Sequence, residues 1–197
     1  MPITDSDYVA DRLYQRLFQP FSLPSSDHRL CREDWTRVDA ICALPWRGRV
    51  LDIGAGDGTL GALVCSRNQA ATDMVAVEPD RDQNNKARRL WSAWPIARGA
   101  TWPDGKFDGA LCCEVLEHLT PDESVSVLNR IHERLVPGAL CCVTVPHPSG
   151  SRADFPGHVN LMNTEALTQA LDDAGFDVGT VTTIGHPAIW IMVTSVA

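Results

Sequence analysis

An apolar strand that runs straight into a turn of three glycines and then a helix constrains this chain most: Arg49-Val50-Leu51-Asp52-Ile53-Gly54-Ala55-Gly56-Asp57-Gly58-Thr59-Leu60-Gly61. Glycine tolerates positive φ and carries no Cβ, so a ligand's sugar or carboxylate can approach the backbone, while the N-terminus of the next helix favours negative charge. A glycine pattern alone is weak evidence. It gains weight from a second apolar strand, Val75-Ala76-Val77, ending in Glu78. That glutamate lies about 20 residues on, where a carboxylate grips a ribose diol at the next strand end.

From Arg49 onward strands alternate with helices. Strands are predicted over 50–53, 74–77, 96–98, 108–113 and 139–145, and helices over 58–68, 82–93 and 121–135. Such alternation implies a parallel, doubly wound α/β sheet. Thr120-Pro121-Asp122-Glu123 marks a helix start, with Thr as cap, Pro first and Glu third, and Pro137-Gly138 is the expected stop. After a loop over 146–160 rich in Pro, Gly and His, a helix over 164–174 ends at Gly175. Two last runs, 176–184 and 188–195, form a hairpin turning at Gly185-His186-Pro187. Ahead of the first strand, Tyr8, Leu13, Leu17 and Phe18 recur at near-helical spacing between an Asp5 or Ser6 cap and Pro20, and a second helix is expected over 27–43.

The reading is therefore one domain over 1–197, with a two-helix N-terminal cap (1–46) on a Rossmann-like core (47–197) of seven strands, the last antiparallel. A chain of 197 residues is long enough for one substantial core. Its net charge of −8 argues against a surface that tracks phosphate backbones, because nonspecific nucleic-acid affinity comes mostly from Lys and Arg. The seven cysteines include Cys112-Cys113 and Cys141-Cys142 inside apolar runs, which read as small buried hydrophobes in a reducing compartment. With no basic-then-apolar leader and no apolar run approaching the roughly 18 residues of a spanning helix, the expectation is a soluble cytoplasmic protein with no membrane partner. The tryptophans at 35, 46, 91, 94 and 190 read as core, and only Trp102 adjoins the predicted ligand loop.

In this order of elements the chain resembles the class I S-adenosylmethionine-dependent methyltransferases, over roughly residues 47–195. Four segments carry the resemblance: Val50 to Gly58, the glycine loop; Val75 to Asp80, the acidic second motif; Phe107 to His118, the fourth strand and its tip; and Leu135 to Leu140, the turn before the fifth strand. The resemblance implies that S-adenosylmethionine is the cofactor. Asp52 would organise the loop, Gly54, Ala55 and Gly56 would approach the amino-acid part, and Glu78 would bind the ribose hydroxyls. Pro79 and Asp80 would flank the adenine, with Cys113 at the fourth-strand tip. Where the family often has an acidic residue near the adenine amino group, this chain offers Thr101 and Trp102. An NAD-type dinucleotide fold is the competing reading of the loop, and a module that keeps the cofactor fold without catalysis is a third.

Methyl transfer from a sulfonium is an in-line displacement, so the enzyme must mainly align an acceptor and remove its proton. Glu114, Glu117 and His118 cluster at the fourth-strand tip, where open α/β sheets place ligands, and His158 enters from the loop after the fifth strand. Together they form a candidate divalent-metal set, with Mg²⁺ expected. The constellation is similar to that of metal-assisted O-methyltransferases, of the ubiquinone-pathway and small-RNA 2′-O-methyltransferase types. Such an ion would chelate an acceptor hydroxyl and lower its pKa. The metal-free alternative makes Glu114 a lining residue of the cofactor pocket and His158 a helix cap.

His147, in Val145-Pro146-His147-Pro148, is the candidate general base, with His118 and Asp154 as further candidates. The substrate pocket must come from the N-terminal helices and the 146–160 loop, and no basic amphipathic helix suggests membrane docking. The expected acceptor is therefore a small polar diol, a sugar or other polyol. An RNA 3′-terminal ribose and a catechol-like phenol are the alternatives.

Overall fold

The computed structural model describes residues 28–197 apart from 69, 82, 84, 86–95, 151, 152, 156, 186, 187 and 189. The helix expected around Tyr8 to Phe18 lies outside the described residues, as do most of the one over 82–93, with Trp91 and Trp94, and the His186-Pro187 turn.

The second cap helix is present as α1 (His28–Cys42). The core follows as β1 (Gly48–Ile53), α2 (Thr59–Arg67), β2 (Ala71–Val77), β3 (Ile96–Gly99), β4 (Phe107–Cys113) and a 3₁₀ turn (Leu116–His118). It continues with α3 (Pro121–Arg134), β5 (Leu135–Pro146), α4 (Thr164–Asp173), β6 (Asp177–Ile184) and β7 (Trp190–Val196). The seven strands form one sheet in the order β3-β2-β1-β4-β5-β7-β6. Strands β1 to β5 pair in parallel, and β7 runs antiparallel to both its neighbours. The order reverses between β1 and β4, which opens a crevice at their C-terminal ends where open α/β sheets bind ligands.

Strand periodicity builds the two cores. Val50, Leu111, Cys113 and Cys142 face Val38 and Ile41 of α1 and Leu63 and Val64 of α2. Leu51, Ile53, Cys112 and Cys141 face Leu128 and Ile131 of α3 and Leu167 and Leu171 of α4. Each adjacent cysteine pair is thus split across the sheet by the alternation of a strand. Those four thiols are free and buried. Burial pushes Cys141 up to about 12.

Helix α3 begins with the expected capping box: Glu123 N–H donates to Thr120 Oγ1, and Thr120 N–H donates to the Glu123 carboxylate. Its end differs from the expectation. The helix stops at Arg134 and Leu135 pairs at once with Phe107, so Pro137-Gly138 lies inside strand β5. Gly138 sits there at φ 78° and donates its N–H to the Ala197 carbonyl, a partner at the far end of the sequence. Among the described residues no helix is long and apolar enough to cross a membrane.

Candidate functional site

The glycine loop leaves β1 at the crevice. Gly54 and Ala55 donate N–H to the Val77 carbonyl at 2.9 and 3.2 Å, which pins the loop to the end of β2. Gly56 has φ 53°, and a Cβ there would meet nothing among the described residues within 4 Å, which suits close approach of a ligand to this backbone. Glu78, at the tip of β2, accepts from Gly56 N–H at 2.7 Å through Oε2 and from Asp80 N–H at 2.8 Å through Oε1. Asp57 Oδ1 accepts from the N–H and hydroxyl of Thr59 and opens α2. A largely buried carboxylate tied to the loop backbone beside a glycine lacking a Cβ is a setting that suits the ribose and amino-acid parts of S-adenosylmethionine.

Asp52 lies beneath this loop at 2 % exposure. Its Oδ2 has no hydrogen-bond partner among the described residues and stands 2.8 Å from where a Cβ on Gly61 would be. Burial pushes its pKa up to about 7, opposed by Arg98 and reinforced by Glu78. Arg98, on β3, sets its guanidinium against Gly58. Sequence reasoning missed this residue, because nothing local marks an arginine that reaches across β2 to β1.

The remaining candidate cofactor residues differ in setting. Pro79, Asp80 and Thr101 are exposed, and Asp80 Oδ1 accepts from Gln83 N–H at 3.0 Å. Trp102 packs half-buried against the α3/α4 core with the Arg130 guanidinium 4.4 Å over its ring, so packing accounts for it. Cys113 is buried on the α1/α2 face.

At the tip of β4 three of the four candidate metal ligands come together. One ligand atom each of Glu117, His118 and His158 lie within 4.8 Å of one another. Glu117 is 1 % exposed, and neither of its carboxylate oxygens has a hydrogen-bond partner among the described residues. Burial pushes its pKa up to about 8, with Glu114 adding to the rise. His118 Nδ1 faces the Gly157 carbonyl at 3.2 Å and so carries its proton, leaving the Nε2 lone pair 4.0 Å from Glu117 Oε1. This is how a metal-bound imidazole is usually oriented by a second partner. His158 stacks edge-on to His118, with its Nδ1 buried and without a hydrogen-bond partner among the described residues. The loop that brings it is tied down by Val159 and Asn160, whose N–H groups donate to the Glu117 carbonyl at 2.8 and 3.1 Å.

Glu114 stands outside this group. Thr144 Oγ1 donates to its Oε1 at 3.0 Å and Trp190 Nε1 to its Oε2 at 2.9 Å, with Arg37 Nη1 3.7 Å away. No sequence signal joined these four, which come from the residue just past β4 and from β5, β7 and α1.

His147 accepts the N–H of Ser149 at Nδ1, 3.1 Å away. A neutral ring in this setting carries its proton on Nε2, and its acceptor nitrogen is engaged by the Ser149 N–H. Asp154 is exposed on the same loop.

A family model for the methyltransferase domain matches residues 7–181. No curated protein matches the sequence at a significant level. Among solved structures, the chain is similar to an S-adenosylmethionine-dependent methyltransferase from Mesorhizobium loti (14 % identity, TM-score 0.67, covering 84 % of this chain and 98 % of that one). It is similar also to magnesium protoporphyrin IX methyltransferase from Synechocystis PCC 6803, solved with its methyl donor (14 % identity, TM-score 0.70, 99 % and 98 % covered). A third is the methyltransferase domain of a bacterial Hen1 (17 % identity, TM-score 0.68, 84 % and 100 % covered). At these identities the solved structures speak for the fold, and the family match over most of the chain speaks for descent. The chain belongs to the methyltransferase-domain family of class I S-adenosylmethionine-dependent enzymes.

Proposed function

We propose that the protein methylates a hydroxyl of a small polar diol, a sugar or other polyol, with a divalent ion held by Glu117, His118 and His158. One observation carries this reading: a buried carboxylate with no hydrogen-bond partner among the described residues faces two imidazoles, and their ligand atoms converge within 4.8 Å. A buried carboxyl without a hydrogen-bond partner is costly, and a bound ion would satisfy it. Two imidazoles and one carboxylate suit Mn²⁺, Co²⁺ or Zn²⁺ better than Mg²⁺, which prefers oxygen donors and water. The reading accordingly moves from Mg²⁺ to a later first-row ion. When bound, such an ion supplies an acceptor hydroxyl of lowered pKa.

The chain's own residues have separate tasks in this reading. Glu78 takes the ribose hydroxyls, Gly54 to Gly56 give the amino-acid part close access to the backbone, and Asp52 supports the loop from below. His147 and Asp154, on the loop after β5, are the candidate bases that take the acceptor's proton.

An RNA 3′-terminal 2′-hydroxyl is the second reading. Likeness to the Hen1 domain favours it, and the net charge of −8 opposes it. The test is release of S-adenosylhomocysteine by chelator-stripped protein given polyols, catechols or short RNA, with Mn²⁺, Co²⁺, Zn²⁺ or Mg²⁺. Polyol turnover that needs an added ion and is lost in Glu117→Gln is expected. Turnover on RNA alone would put the second reading first, and ion-independent turnover that survives Glu117→Gln would remove the metal.

A further inference from the structure

Among the described residues Glu114 is the one non-glycine residue with positive φ, at 59°. An L-residue in the left-handed region is strained, and it stays there only when its surroundings over-determine it. Here they do. Its N–H donates to the Thr144 carbonyl at 2.9 Å, and its two carboxylate oxygens take the Thr144 hydroxyl and the Trp190 indole N–H. Arg37 closes the arrangement from α1: its Nη1 donates to Thr144 Oγ1 at 3.3 Å, and its guanidinium lies 5.3 Å over the Trp190 ring. Elements α1, β5 and β7 thus all converge on one residue.

The consequence lies three residues downstream. The chain leaves β4 through the left-handed turn at Glu114 and enters the 3₁₀ turn Leu116–His118, closed by His118 N–H to the Val115 carbonyl at 3.1 Å. The far side of that turn is fixed by Val159 and Asn160 on the Glu117 carbonyl. Asn160 reinforces the fastening through its side-chain amide, which donates to Ser124 Oγ at 3.1 Å. With one side held by residues 159–160, the direction of the Glu117 carboxylate depends on the conformation at Glu114.

We infer that Glu114 is a positioning residue for the ligand group and not a member of it: its clamped left-handed backbone aims Glu117 at His118 and His158. This rests on the metal reading above. It extends that reading by coupling the cap helix, through Arg37, to the geometry of the ligand turn.

The two possible roles of Glu114 predict opposite signs. If Glu114 were a ligand, its carboxylate would have to leave Thr144 and Trp190 to reach the ion, so removing the Thr144 hydroxyl would leave binding unchanged or tighten it. If it is a positioning residue, the same change loosens the clamp and weakens binding. The experiment is a Co²⁺ titration of the full chain, read by calorimetry and by the visible absorption of the bound ion. It compares wild type with Thr144→Val, Glu114→Ala, Glu114→Gln and Glu114→Gly, with thermal melts as the folding control.

Thr144→Val is expected to weaken Co²⁺ roughly tenfold, the usual worth of a hydrogen bond to a charged group, without changing the absorption band shape. Glu114→Gly, which adopts positive φ freely, should retain more affinity than Glu114→Ala, and Glu114→Gln should fall between Ala and wild type. Should Thr144→Val fail to fold, Arg37→Gln loosens the same carboxylate from α1 and is expected to weaken Co²⁺ roughly threefold. Unchanged or tighter binding in Thr144→Val or Arg37→Gln, or a new band shape in Glu114→Gln, would make Glu114 a ligand and overturn the inference, and unchanged binding in Glu114→Ala would overturn it by removing the positioning role. Wild type that binds no Co²⁺ would overturn the metal reading itself, and the inference with it.

Discussion

Replacing Glu117 by Gln should stabilise the ion-free protein at alkaline pH and abolish its stabilisation by an added ion. The Glu117 carboxylate is 1 % exposed with both oxygens unpartnered among the described residues. Burial moves its pKa from 4.5 to about 8; Glu114 adds to the rise, while Arg37 opposes it. Between those pH values the native carboxyl holds a proton that the unfolded chain has released, so stability falls as pH rises. The penalty is absent below pH 4.5 and complete above about 8. At ~1.4 kcal/mol per pH unit its ceiling is ~5 kcal/mol, and relaxation of the site brings a realistic figure to ~2–3 kcal/mol. Glutamine keeps the shape and carries no charge. For a domain of this size the gain is ~5–10 °C in Tm at pH 8.5 and little at pH 5. An ion at about 100 times its Kd stabilises wild type by ~2.7 kcal/mol and leaves the variant unmoved, so the order of stabilities levels or reverses. The assay is thermal melting of both proteins at pH 5, 7 and 8.5, in chelator and in Mn²⁺. A variant less stable than wild type in chelator at pH 8.5, or stabilised equally by Mn²⁺, would refute the reasoning.

Other expected outcomes follow from neighbouring residues. Gly56→Ala adds a Cβ that meets no atom of the described residues, so its stability cost is ~1 kcal/mol of backbone strain; calorimetric affinity for S-adenosylhomocysteine should nevertheless fall at least roughly tenfold. Unchanged affinity would mean that no ligand approaches that backbone. Asp52→Asn should flatten the pH dependence of stability between 3.8 and about 7, where burial makes the wild-type carboxyl retain a proton and stability falls with rising pH. Equal slopes in urea titrations of the two proteins would contradict this. The buried thiols of Cys112, Cys141 and Cys142, all raised in pKa, should resist a thiol reagent at pH 8 until the protein is unfolded, and rapid labelling of any of them in the native protein would count against the packing described.

What the sequence made legible was local or periodic. The strand at Val50 to Ile53, the capping box at Thr120 to Glu123 and the final hairpin each follow from neighbouring residues, so residue order alone announces them. The split of Cys112-Cys113 and Cys141-Cys142 across the sheet follows from the same period of two. The end of α3 was not local: Leu135 leaves the helix to pair with Phe107, and Gly138 is held by Ala197, 59 residues on in sequence. The partners of Glu114 were still less visible, since Thr144 and Trp190 stand 30 and 76 residues away in sequence. The donor state of His147 depends on one backbone N–H, and a tautomer has no sequence signature.

The glycine loop and the ligand turn were separate motifs in the sequence, yet sheet order makes them neighbours. Pairing of β1 with β4 brings Ile53 opposite Cys112, so both loops leave the sheet side by side. They touch at Gly54 and Val115: a Cβ on Gly54 would collide with Val115 Cγ2. Val115 directly follows the strained Glu114 and directly precedes the turn that carries Glu117. Glycine at position 54 is therefore required twice, for its φ of 67° and for the space that Val115 occupies. The cofactor loop cannot shift toward β4 without moving the ligand turn, and the turn cannot relax at Glu114 without pressing on the loop. This shared contact fixes the donor side and the proposed acceptor side relative to each other, and in-line transfer between two bound groups demands that fixed alignment.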